Sequence, residues 1–183
     1  MIKMIAAVSE NGIIGVDNDL PWAKDKYADD MKFFRAMTKN SVVVMGRKTF
    51  GSMGCRPLPK RINRIVSRNE KNIVPPQSDG VCEWYQTLQE AIEDPNPNSK
   101  NIWIIGGEGI YSEGLNYCHE VYTTLIPEKV DTTGKSSVAR FPYMHPLAWD
   151  CEKQMMGELV PAAGEQKLIV AIYRPSKIIW KSQ

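Results

Sequence analysis

Histidine is nearly missing from this chain: two residues in 183, His119 and His145, stand too far apart for a convincing metal cluster or a His-based nucleophilic triad. Cysteine is scarce too. Cys55, Cys82, Cys118 and Cys151 lack the close pairs of a zinc site or a dithiol redox motif, and read as reduced thiols. Charge of one sign is also lacking, since 23 Lys and Arg against 21 Asp and Glu leave +2, and no broad field draws the protein to nucleic acid or an anionic membrane. No apolar run approaches the roughly 20 residues of a membrane span, and the opening Met1-Ile2-Lys3-Met4 runs into a strand-like pattern rather than a secretory leader. These absences predict a cytoplasmic protein, monomeric by default, that uses neither metal, nucleic acid nor membrane.

What is present is ordinary for a globular domain: 43% hydrophobic and 24% charged residues, with 13 glycines and 12 prolines. The length allows one domain with a sizeable core, expected over 1–174, followed by a tail at 175–183. Short β-branched or aromatic runs predict strands over 2–8, 41–45, 63–67, 81–85, 102–105 and 120–126, and a terminal hairpin over 149–156 and 167–173. Helical periodicity falls at 26–38, 49–53, 88–93 and 109–115, and Thr87 with Glu90 forms a capping box before the third. Strand and helix alternate, which predicts an α/β fold with a mainly parallel sheet and a C-terminal antiparallel hairpin. The polar stretch 127–140 is a long excursion for a compact domain, either functional or a tolerated insertion.

One carboxylate sits on an unexpected face. In the helix 26–38, Tyr27, Met31, Phe34 and Met37 recur at offsets of four, three and three and build an apolar stripe. Asp30 lies within that stripe, while Asp29, Lys32 and Arg35 point elsewhere. A carboxylate there must be ion-paired, hydrogen-bonded or partly neutralised by a raised pKa.

Two strand ends carry basic residues. Val42-Val43-Val44-Met45 runs into Gly46-Arg47-Lys48-Thr49, where backbone amides and cations converge on an anion, although the spacing is not that of a Walker loop. A second strand ends in Ser67-Arg68. If the two ends are neighbours, the four residues Arg47, Lys48, Ser67 and Arg68 can hold a phosphate monoester, which favours NADPH over NADH. The strand Ile102-Trp103-Ile104-Ile105 then breaks into Gly106-Gly107-Glu108-Gly109, where glycine permits close approach to a diphosphate or serves a tight turn.

The segments taken in order resemble dihydrofolate reductase along nearly the whole chain. The match rests on Ile5-Ala6-Ala7, Gly12-Ile13-Ile14-Gly15 with Asn18, Leu20-Pro21-Trp22, and Asp30 with Phe33-Phe34. It continues through Val44 to Phe50, Arg56-Pro57-Leu58-Pro59 with Arg61 and Asn63, Ile104-Ile105-Gly106-Gly107 with Tyr111, and Tyr122 to Thr124. The resemblance implies an eight-stranded sheet with about four flanking helices, NADPH as cofactor, dihydrofolate as substrate, antifolates as inhibitors, and a product that feeds thymidylate and one-carbon metabolism.

It also implies roles. Asp30 is the ionisable group at the pterin ring, with Thr124 bonding its carboxylate and Trp22 helping to hold water beside it. Hydride passes to the pterin C6 while N5 gains a proton from water, so Asp30 acts through orientation and electrostatics. Ile5, Ala6, Met31, Phe34, Met53, Leu58, Ile105 and Tyr111 belong to the substrate side, and Arg61 to the glutamate α-carboxylate. The segment 11–22 is a lid with Leu20 at its tip. Ala7, Ile14, Gly46, Arg47, Lys48 and Thr49 serve the nicotinamide and phosphates, Ser67 and Arg68 the 2′-phosphate, and Gly107, Glu108, Gly109 and Ile110 the diphosphate. The Gly106-Gly107 bond is cis in that family. The sequence departs from the pattern at Gly109, where many relatives are basic, and at Cys55, an extra residue before Arg56. A reductase of another pyrimidine or pterin is the rival reading, and Arg61 argues against it.

Overall fold

The computed structural model describes residues 1–23, 25–68, 80–96 and 100–176. In chain order its elements begin with β1 (Ile2–Ser9), β2 (Ile13–Val16), α1 (Ala28–Thr38), β3 (Val42–Gly46), α2 (Arg47–Ser52), β4 (Ile62–Val66), β5 (Val81–Tyr85) and α3 (Leu88–Glu93). They continue with β6 (Ile102–Ile104), α4 (Glu108–Gly114), β7 (Glu120–Ile126), β8 (Val138–Arg140), β9 (Trp149–Met155), α5 (Met156–Leu159), a 3-10 turn at Pro161–Ala163, and β10 (Ile169–Pro175).

Eight strands form one sheet in the order β5-β4-β3-β6-β1-β7-β10-β9. The pairings from β5 across to β7 are all parallel, and β10 runs antiparallel between β7 and β9. Alternate residues of the central strands go to opposite faces, and both faces are covered. Ile5, Val43, Met45 and Trp103 join Phe33 and Phe50 in one core layer, while Met4, Val42, Val44 and Ile104 join Leu88 and Tyr111 in the other. Continuous Val-Val-Val-Met at β3 is therefore a strand buried on both sides. The capping box before α3 is formed, with Thr87 Oγ1 accepting from Glu90 N at 3.1 Å.

Several boundaries and elements differ from expectation. Helix α2 begins at Arg47 rather than at residue 49, which places Arg47 and Lys48 in its first turn. The stretch 157–164, between the two strands expected as a terminal hairpin, contains most of α5 and the 3-10 turn. A separate two-stranded sheet pairs β2 with β8, so the excursion 127–140 returns to the lid segment and adds a strand to it. Of the proposed tail 175–183, residues 177–183 lie outside the described residues.

Candidate active site

Because β1, β3, β4 and β6 run parallel, their carboxyl ends share one edge of the sheet, and there a continuous cleft of about 1900 Å3 opens. Its walls include Ile5, Ala6, Ala7, Ile14, Leu20, Asp30, Met31 and Phe34 toward one arm. Toward the other lie Gly46, Arg47, Lys48, Thr49, Ser67, Arg68 and Gly107 to Ile110. Met53, Leu58, Ile105 and Tyr111 complete the lining. Trp22, Arg61 and Thr124 are not on this wall; Trp22 and Thr124 are buried behind it, and Arg61 is half-buried.

In the basic arm, the parallel register aligns Gly46 with Val66, so the chains leave β3 and β4 side by side at Arg47 and Ser67. Arg47, Lys48 and Arg68 are exposed and make no ion pair among the described residues, whereas Ser67 is buried. Gly46 N donates to Gly106 O at 2.8 Å, which ties the end of β3 to the glycine turn after β6. The Gly106–Gly107 peptide is cis. A Cβ on Gly107 would meet Thr49 Oγ1 at 3.1 Å, and one on Gly46 would meet Ile110 Cγ1 at 3.2 Å. The two glycines thus bring backbone, not side chain, to the cleft. Neither α2 nor α4 has a side-chain cap at its start, leaving first-turn amides available to an anion. Cations, uncapped amides and bare backbone fit a phosphorylated dinucleotide.

In the other arm, Asp30 stands in the first turn of α1 and borders the cleft. Burial pushes its carboxyl above the ordinary value, and attraction to the nearby Thr124 hydroxyl opposes that in part. The hydroxyl itself, fully buried, makes no well-formed hydrogen bond. Tyr111 donates to Ile5 O at 2.8 Å, and burial, with the Asp30 charge adding, drives its phenol upward, so it stays a neutral donor. The stripe expectation needs correction here. Asp29, expected to point away, is the acid of α1 that is sealed in, with its side chain 1% exposed, whereas Asp30 and Phe34 face the cleft. The 3-10 turn packs on α1 and Gln166 bonds to Asp29, contacts between distant segments that periodicity within one helix cannot reveal.

Arg61 stacks over Phe34, 5.8 Å from guanidinium carbon to ring centroid. Its Nε and Nη1 are buried without a hydrogen-bond partner, and burial together with Arg35 lowers its pKa. Such an unpaired guanidinium suits a carboxylate ligand. The loop carrying it is held by Asn63, which sequence reasoning noted only as part of a motif. Fully buried, Asn63 accepts from Leu58 N at 2.8 Å and donates to Leu58 O, Arg61 O and Val81 O at 3.1, 3.2 and 3.2 Å. A polar residue inside an apolar strand is the signal that marks it.

The segment 11–22, expected to act as a lid, is braced from outside. Asp17, at φ 49°, accepts from Ser136 N and Ser137 N at 3.0 Å each, and Asn11 exchanges two hydrogen bonds with Val130. Trp22 packs edge-on against Tyr27, with centroids 6.3 Å apart, and anchors the lid's far end in the core.

Fold and site together define an α/β protein with a ligand cleft at the carboxyl edge of its sheet, one arm basic and glycine-lined, the other carrying an acid with a raised pKa. Residues 1–160 match the family model for dihydrofolate reductase, and the chain belongs to that family. It is 36% identical over 140 residues to a dihydrofolate reductase of Drosophila melanogaster, covering 70% of this chain and 75% of that one. It is 36% identical over 126 residues to a bifunctional dihydrofolate reductase-thymidylate synthase of Paramecium tetraurelia, covering 68% of this chain but only 25% of that longer protein. A dihydrofolate reductase from Enterococcus faecalis solved with NADP(H) and RAB-propyl superposes with a TM-score of 0.73 at 25% identity, covering 97% of both chains. The enzyme reduces dihydrofolate to tetrahydrofolate with NADPH.

Proposed function

We propose that the pterin ring of dihydrofolate lies against Asp30, with the aminobenzoyl group between Phe34, Met31, Met53 and Leu58 and the glutamate α-carboxylate on Arg61. The observation that carries this reading is an acid with a raised pKa bordering the cleft, together with Arg61, which stacks on Phe34 of the cleft wall and keeps Nε and Nη1 buried without a hydrogen-bond partner. An acid bordering the cleft and a guanidinium stacked on one of its walls suit a substrate with a polar head and an anionic tail.

Bound NADPH supplies the hydride that the pterin C6 accepts. Arg47, Lys48, Ser67 and Arg68 hold its 2′-phosphate and neighbouring charge, and the backbone of Gly107 to Ile110 lies against the diphosphate. Ala7 and Ile14 flank the nicotinamide end, under the lid tip Leu20. The Asp30 carboxylate accepts hydrogen bonds from the pterin edge and stabilises the protonated N5, which lowers the barrier to hydride arrival. Thr124 and Trp22 orient that carboxyl and the water beside it. Closure of 11–22 excludes bulk water from the transfer. The same pocket takes antifolate inhibitors, and the enzyme works as a cytoplasmic monomer without nucleic acid or membrane. Among the described residues, no helix is long and apolar enough to cross a membrane.

The test is loss of NADPH absorbance on adding dihydrofolate, with NADH and a tail-less dihydropterin as paired controls and methotrexate as a block. Turnover that methotrexate stops, that falls sharply with NADH and that needs the tail for a low KM supports each assignment. Equal KM for dihydrofolate and the tail-less pterin removes Arg61 from the site.

A further inference from the structure

The first turn of α1 carries Asp30, yet no side chain of α1 caps its amides. Its N-cap, Tyr27, offers no side-chain hydrogen bond. The missing cap arrives from far along the chain. Gln166, in the connection between the 3-10 turn and β10, accepts from Asp29 N through Oε1 at 2.9 Å. Its Nε2 donates to Lys26 O at 2.7 Å, and its own backbone N donates to Asp29 Oδ2 at 2.6 Å. One residue therefore closes three hydrogen bonds on the two turns of chain that lead into Asp30.

The partner surface is firm. Asp29 is sealed, and Lys32 Nζ donates to its Oδ1 at 2.8 Å, so its carboxyl is held below the ordinary value. The connection bearing Gln166 crosses itself tightly: a Cβ on Gly157 would stand 2.8 Å from Gly164 Cα. Met156 N donates to Leu168 O at 2.8 Å, and Met156, Ala163 and Leu168 lie in the same core cluster as Phe33 of α1. A rigid loop thus grips a helix start, and the residue next to the grip is the acid at the cleft.

We propose that Gln166, acting with Asp29, is a positioning residue for the reduction: it fixes the α1 first turn so that the Asp30 carboxyl meets the pterin. This rests on the role given to Asp30 above. The charged and titratable groups around the clamp are Lys32, paired with Asp29 and Glu165, and Lys26, paired with Glu128, which also accepts from the Tyr27 hydroxyl. Thr124 and Tyr111 face Asp30 itself. Misplacing a catalytic carboxyl by a fraction of an ångström to one ångström costs about tenfold to a hundredfold in rate.

The experiment compares Gln166→Ala, Asp30→Asn and the double variant by steady-state kinetics, with NADPH affinity measured by fluorescence titration. Gln166→Ala is expected to lower kcat about tenfold near neutral pH, with NADPH Kd within about twofold of the parent. Its loss narrows at low pH, where the pterin arrives protonated. The double variant is expected to be no slower than Asp30→Asn alone, because Gln166 acts through Asp30. Should Gln166→Ala fold poorly, Gln166→Glu, which keeps an acceptor for Asp29 N but loses the Nε2 donor to Lys26 O, is expected to give a smaller kcat loss with the same non-additive pattern. A lowered Tm with unchanged kcat overturns the proposal, as do losses that multiply in the double variant. Full turnover by Asp30→Asn overturns the Asp30 reading and this proposal with it; a slow Asp30→Asn beside a fully active Gln166→Ala overturns this proposal alone.

Discussion

Replacing Asn63 with alanine separates the loop that carries Arg61, proposed to hold the substrate's glutamate tail, from the chemistry proposed at Asp30. Asn63 is 0% exposed and makes four hydrogen bonds, two of them to Leu58 and one each to Arg61 and Val81. Its loss leaves the Leu58 amide and three carbonyls competing for whatever water can enter. A buried donor left unpaired costs about 1–3 kcal/mol, and the carbonyls add less each because their second lone pair is not always used. About 3 kcal/mol in all corresponds to a Tm drop of roughly 6–12 °C for a chain of this size. The functional effect follows from what the loop carries. Leu58 forms a wall of the cleft and Arg61 presents its unpaired Nε and Nη1, so freeing both lowers the pre-organisation of the carboxylate site proposed there. We expect KM for dihydrofolate to rise about tenfold, equivalent to about 1.4 kcal/mol, while KM for a tail-less dihydropterin stays within about twofold. Scanning calorimetry and steady-state kinetics on both substrates read the two effects. A Tm change below about 2 °C, or equal KM increases for both substrates, would refute the reasoning.

Asp30→Asn is expected to slow hydride transfer by about a hundredfold or more near neutral pH, with a smaller loss at low pH, read by single-turnover kinetics. The same variant should raise Tm at neutral pH. Burial raises the folded-state pKa of Asp30, so the native state holds a proton more tightly than the unfolded chain, and the carboxylate withdraws stability as pH climbs from the ordinary value through the raised one; a neutral amide escapes that penalty, and a lower Tm sinks the argument. Arg47→Ala with Arg68→Ala is expected to weaken NADPH at least about tenfold and NADH about twofold or less, because only the former carries a 2′-phosphate, and equal losses by fluorescence titration would remove these residues from that contact. Asp17→Ala removes the acceptor for Ser136 N and Ser137 N, so amide exchange across 136–140 should quicken about tenfold, and unchanged protection would show that the β2–β8 pairing stands without it.

The primary structure alone determined the strand and helix alternation, the parallel sheet with its terminal hairpin, and the placement of basic residues and glycines at strand ends. These are properties of short windows: Val42 to Met45 buries both faces because every residue is apolar, and Gly46 ends the same strand directly before Arg47. Asp30 was legible as an acid among apolar neighbours for the same reason. Only the tertiary structure decided which acid of α1 is sealed and which meets the cleft, since a loop more than 130 residues away, at Gln166, closes over Asp29. It also decided that the excursion 127–140 braces the lid and that Asn63 holds Arg61 in place. Hydrogen bonds between distant segments depend on where the sheet order sets those segments, and no local period encodes that order.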